Sequence, residues 1–114
     1  MIRKIVFHKR YFIDFYLKQP KKVQDKIEYV FELIKQVERV PEKFLKHLSG
    51  TEGIYEIRIE YQSNIFRIFC FFDRNRLVVL LNALQKKSQK TPKKEIKLAK
   101  KLKKEYLNLK KSKR

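Results

Sequence analysis

Three short stretches put permanent positive charge into rigid surroundings: Arg58 in "IYEIRIEY", Arg67 in "IFRIFCFF", and Lys86-Lys87 in "LLNALQKKSQK". Arginine offers a planar fork to phosphate oxygens and lysine a mobile point charge. Both can stabilise negative charge that develops during phosphoryl transfer. Arg67 lies among Phe and Ile, where a guanidinium needs a partner. Arg58 stands between Glu56 and Glu60, and a cross-strand ion pair explains it as well as a functional role does. The lysines leave an apolar run without any glycine to mark a turn.

The elements that must position these groups follow from periodicity. Side chains alternate across a strand, so Glu56, Arg58 and Glu60 share one side of residues 54–61, with Tyr55, Ile57 and Ile59 on the other. In residues 65–72, Phe66, Ile68, Cys70 and Phe72 form an apolar face and Arg67 points the opposite way. Residues 76–84 read as a third strand. The links "QSN" and "DRN" are short enough to make a consecutive antiparallel meander. Arg58 and Arg67 flank one such link, so they are expected on the same open face, with Lys86 on the neighbouring strand's exit.

Upstream, residues 3–8 read as a first strand. Residues 10–19 place Phe12, Phe15 and Tyr16 at helical spacing up to Pro20. Over residues 21–39, Val23, Ile27, Val30, Phe31, Ile34 and Val37 keep a helical period. "EKFLKHL" reads as a single turn, and "SGTEG", which holds both glycines, is the clearest turn signal. Thr91 and Pro92 suit an N-cap and first helical position. The helix beyond them carries one apolar stripe, Ile96, Ala99, Leu102, Tyr106 and Leu109. The expectation is an α+β fold of N-terminal strand, two helices, three-stranded meander and closing helix. Residues 1–109 form one domain in this reading, and 110–114 a basic, fraying tail.

The charge balance points to partners rather than to fold. Thirty Lys and Arg against 12 Asp and Glu leave +18 and an isoelectric point near 10.1. Residues 1–85 carry 16 basic and 10 acidic side chains, whereas residues 86–114 carry 14 and 2. Two-thirds of the surplus therefore lies in the last quarter of the chain, as expected for a protein that meets a polyanion or an acidic partner. The single Cys70 reads as a small core residue. His8 and His47 are far apart and read as surface or turn residues. No zinc spacing or phosphate-binding glycine loop is present. No signal-peptide core or membrane-length apolar run is visible either, so a cytoplasmic location is expected, with no membrane partner.

"LSGTEGIYEIRIEYQSNIFRIFCFF" and "VVLLNALQKKSQKTPKKEIKLAKKLKKEY" closely resemble the RelE/ParE toxin superfamily, in its phage-derived HigB-like branch. The resemblance covers roughly residues 44–106. It departs at Leu84-Gln85, where that branch usually has Gly-Phe or a similar pair. It implies the toxin of a type II toxin–antitoxin system, a ribosome-dependent mRNA endonuclease acting without metal or other cofactor. The implied partners are a helix-turn-helix, HigA-like antitoxin, the 70S ribosome with mRNA in its A site, and ribosomal RNA. Carried over by position, Arg58, Arg67, Lys86 and Lys87 are the implied catalytic set, and Lys90, Lys93, Lys94 and Lys97 the implied RNA contacts. Glu56 stands where some relatives have a further basic residue. Tyr106 matches a tyrosine that serves some relatives as a base, but its place on the apolar stripe makes it a core residue here. Two alternatives remain open at this level: a ParE-like inhibitor of DNA gyrase, and a basic RNA- or ribosome-binding module without catalysis.

Overall fold

A computed structural model describes residues 1–88 and 90–112. Its elements run β1 (Lys4–Phe7), α1 (Tyr11–Leu17), α2 (Lys21–Gln36), β2 (Leu45–His47), β3 (Ile54–Tyr61), β4 (Asn64–Asp73), β5 (Leu77–Lys86) and α3 (Lys93–Ser112). The strands form one sheet in the order β1-β5-β4-β3-β2. β1 runs parallel to β5 and every other neighbouring pair is antiparallel. The expected α+β architecture and meander are both present.

Helices cover both faces of the sheet, which explains why β4 and β5 are apolar nearly throughout. On one face α2 buries Val23, Ile27, Val30 and Ile34, with Phe12 of α1, against Ile57, Ile59, Phe66, Ile68, Cys70, Val78 and Leu80. Each fully buried aliphatic chain of this kind contributes about 1.5–3 kcal/mol. On the other face Ala99 and Leu102 of α3 cover Ile54, Phe69, Phe71, Val79 and Leu81. The closing helix thus packs on the sheet and still turns most of its lysines to solvent. Burial pushes the Cys70 thiol far above its ordinary value, in keeping with a core residue.

Several local expectations change. "EKFLKHL" does not stop at a turn: Leu45, Lys46 and His47 pair with Ile57, Glu56 and Tyr55 as an edge strand. α2 ends at Gln36, where Val37 turns extended, three residues before the periodicity runs out. Pro92, not Thr91, precedes α3, because its carbonyl accepts from the amide of Ile96. His8 is not a surface residue. It is 7% exposed, stands 3.4 Å from Glu105 and meets Tyr106 edge-on. His47 is exposed on β2 against Tyr55.

The C-terminal half of α3 is anchored rather than frayed through Ser112, while Lys113 and Arg114 lie outside the described residues. Tyr106 donates to Asp73 Oδ2 at 2.9 Å, and Lys110 reaches the same oxygen at 2.7 Å. Lys110 first, and then Tyr106, hold the Asp73 carboxyl below its ordinary 3.8 against the opposing pull of burial. A carboxyl with a depressed folded-state value stabilises the fold fully above 3.8, and that contribution drains away as pH falls through the lower value. Asp73→Asn should therefore lower stability by about 1.5–3 kcal/mol at neutral pH. Chemical denaturation of variant and parent should show the gap closing below pH 3.8.

Candidate functional site

The end of the sheet that α3 leaves uncovered holds the charged residues. Arg58 and Arg67 are direct partners across the β3–β4 ladder, so their side chains rise on the same face. On β4 that face continues to Phe69, two residues on and about 7 Å away, where the α3 contacts begin. Leu84 of β5 stands opposite Arg67 on its other side, and Lys86 opposite Ile65.

Lys86 reaches this face because of a bulge. Ile68 is opposite Ala83 but Cys70 is opposite Leu80, so Phe69 faces two β5 residues, Leu81 and Asn82. The extra residue reverses the alternation of everything after it. Val79 and Leu81 lie on the sheet face that α3 covers before the bulge; Asn82, Leu84 and Lys86 lie on that face afterwards, Lys86 beyond the helix. Asn82 uses the position to donate to the Glu95 carbonyl at 3.1 Å and to its carboxylate at 3.2 Å, fixing the first turn of α3 against β5.

Glu56 is the centre of the cluster. Its Oε1 lies 3.3 Å from Arg58 Nε and 3.5 Å from Arg67 Nε. Its Oε2 accepts from the Thr91 hydroxyl at 3.4 Å, and that hydroxyl accepts from Lys86 Nζ at 3.1 Å. Arg67 is 1% exposed, Glu56 4% and Lys86 6%, whereas the Arg58 side chain is a quarter exposed and forms the solvent side. Arg67 also donates to the Phe66 carbonyl at 3.0 Å. Burial, then Arg58, lowers its pKa; burial, then Arg67, lowers that of Lys86. The arrangement concentrates positive charge in a dry setting, where electrostatic interactions are strong.

The structure brings Arg58, Arg67 and Lys86 together and leaves Lys87 outside, exposed past the end of β5. Lys90, Lys93, Lys94 and Lys97 are exposed around the start of α3. The face is less open than the alternation suggested, because Thr91 and Glu56 close over it. Sequence reasoning missed both roles: Thr91 looked like a helix cap, and Glu56 like an ordinary charge partner. The spacing of Glu56 and Arg58, two apart on one strand, was the available signal for the carboxylate.

A family model described as "Phage derived protein Gp49-like (DUF891)" matches residues 14–104. The chain belongs to the phage-derived Gp49-like family. The matched span begins within α1, includes the whole meander and the charged cluster, and ends within α3. The resemblance to the phage-derived, RelE-like branch read from the meander strands and the lysine-rich segment is borne out. A chain of the crystal structure titled an archaeal RelE–RelB complex from Pyrococcus horikoshii OT3 is similar at 22% identity and a TM-score of 0.52. The match covers 73% of this chain and 93% of that one, a likeness of fold. No curated protein matches. Among the described residues of this Gp49-like protein, no helix is long and apolar enough to cross a membrane.

Proposed function

We propose that the chain is the toxin of a type II toxin–antitoxin system, a ribosome-dependent endonuclease that cuts mRNA in the cytoplasm and so inhibits translation. The observation that carries this reading is the meeting of Arg58 and Arg67 on one carboxylate, with Lys86 joined to it through the Thr91 hydroxyl, at the end of a rigid sheet. A surface that only bound another protein would have no need to gather three cations into so dry a place. Membership of the Gp49-like family supports the toxin assignment.

The reaction is attack of a ribose 2′-oxygen on the adjacent phosphorus as the 2′-hydroxyl gives up its proton to solvent. The P–O5′ bond breaks, leaving a 2′,3′-cyclic phosphate and a 5′-hydroxyl. Arg67, assisted by Arg58, stabilises the charge that builds on the non-bridging oxygens. Lys86 gives its proton to the departing 5′-oxygen; its lowered pKa eases that transfer. Lys87 lies beside the exit of β5 and touches the substrate backbone from outside. The proposal needs no metal or cofactor.

Lys90, Lys93, Lys94 and Lys97 hold messenger or ribosomal RNA through its phosphates, giving affinity without sequence reading and a steep salt dependence. Lys93 and Lys94 occupy the first turn of α3, the end of a helix that repels cations. A sequence that breaks a local rule there is consistent with an external anion. The RelE–RelB complex supports a protein antitoxin as partner, here of the helix-turn-helix kind, with an acidic surface for the basic face. Mapping mRNA ends after induction of the chain should show new cuts within translated messages, with cyclic phosphate on the upstream fragment. Arrested growth with intact mRNA would overturn the nuclease assignment.

A further inference from the structure

The contacts at Glu56 contain an imbalance. Its carboxylate lies within ion-pair distance of two arginine Nε atoms, yet it satisfies neither as a hydrogen-bond acceptor. Arg58 Nε and Arg67 Nε are buried donors that make no hydrogen bond among the described residues. A buried donor without an acceptor costs about 1–3 kcal/mol, and two at one point in the fold call for an explanation. Glu56 neutralises charge here but has the wrong shape for the N–H groups around it. A phosphodiester is tetrahedral and carries two non-bridging oxygens, so it can give each donor its own acceptor.

We propose that Glu56 is an exchangeable counter-ion that holds the phosphate seat in the RNA-free protein, and that a substrate phosphate takes its place between Arg58 and Arg67. The inference rests on the ribonuclease reading for its substrate, an RNA phosphodiester. Glu56 balances three cations that would otherwise face one another across the end of the sheet. Thr91 holds its second oxygen and ties it to Lys86, so the carboxylate and the proton donor are linked until the anion arrives. A seat already filled by a carboxylate also discriminates against casual anions, which matters in a chain carrying +18. Only a phosphate delivered in place, by contacts made elsewhere on the RNA, competes well with a group that is covalently part of the fold.

The test is binding of an RNA oligonucleotide made uncleavable by 2′-O-methylation, with full-length parent, Glu56→Gln, Glu56→Asp and Arg67→Ala. Glu56→Gln removes the competing charge and should bind about tenfold more tightly, as expected for deleting one like charge a few ångströms from the phosphate at intermediate dielectric. Glu56→Asp keeps the charge and should bind within about threefold of the parent. Equal or weaker binding by a folded Glu56→Gln chain overturns the proposal.

Inorganic phosphate added to 15N-labelled protein gives a readout independent of RNA. Arg58 and Arg67 Nε–H resonances should move together, and at lower phosphate in Glu56→Gln than in the parent. If Glu56→Gln does not fold, the titration of the parent decides: concerted movement supports the seat and static resonances overturn it. If phosphate moves the resonances but Arg67→Ala, folded, cuts mRNA at the parental rate, the seat stands and the ribonuclease reading falls.

Discussion

Arg67→Ala is expected to reduce mRNA cleavage by about 10²–10³-fold, and Arg67→Ala with Lys86→Ala should abolish both cleavage and growth arrest. Arg67 is 1% exposed at the centre of the cluster, in the strand that has apolar neighbours on both faces of the sheet. A guanidinium fixed there needs little reorganisation when charge develops on a phosphate, which is why its loss should fall on the chemical step. Binding to ribosomes should be largely kept, since that binding is proposed for the exposed lysines around the start of α3. Truncating Arg67 also leaves a cavity and removes one of the two guanidiniums at Glu56, so thermal unfolding must be measured beside activity. Arg67→Lys separates the effects: it keeps charge and much of the volume but loses the planar fork. A folded Arg67→Lys chain that still cuts mRNA at the parental rate would remove Arg67 from the reaction. Growth arrest with uncut mRNA in the parent would direct attention to a ParE-like action on gyrase. No arrest at all would favour a basic RNA-binding module.

Features set by neighbouring residues were legible in the sequence, and features set by pairing were not. Arg58 and Arg67 could be placed on one face because alternation is local and the Gln62-Ser63 turn is short; the ladder then makes them direct partners. The amphipathic α2 was visible in Val23, Ile27, Val30 and Ile34 for the same reason. Leu45–His47 shows no alternation of its own and becomes a strand only by docking on β3. His8 follows a four-residue strand, and nothing local announces that Glu105 and Tyr106, almost a hundred residues on, cover it. Thr91 before Pro92 has the form of a cap, but the charge of Lys86 and Glu56 claims its hydroxyl instead. The bulge opposite Phe69 left no mark at all, since neither Leu81 nor Asn82 is a residue that advertises one. That hidden residue decides which lysine enters the site.

Lys86→Ala should therefore cost cleavage about 10²–10⁴-fold, whereas Lys87→Ala should stay within about threefold of the parent, as exposed charges generally contribute little. The two lysines are adjacent and chemically identical, so the sequence treats them as a pair. Continuing the alternation of Val79 and Leu81 without interruption would bring Ala83, Gln85 and Lys87 onto their face and turn Lys86 to the opposite one; the bulge inverts this. Burial, and then Arg67, hold the Lys86 pKa below its ordinary 10.5. For a group that must carry a proton, activity is lost as pH rises through that lowered value. The alkaline limb of the cleavage profile should accordingly lie below pH 10.5. Lys86→Arg provides the sign test, because a guanidinium remains protonated throughout this range. If it retains measurable cleavage, its alkaline limb should move upward or vanish, while Lys87→Arg should leave the limb in place. A limb that followed Lys87 instead would mean that the chain turns the other lysine to its substrate, and that the bulge does not set the site.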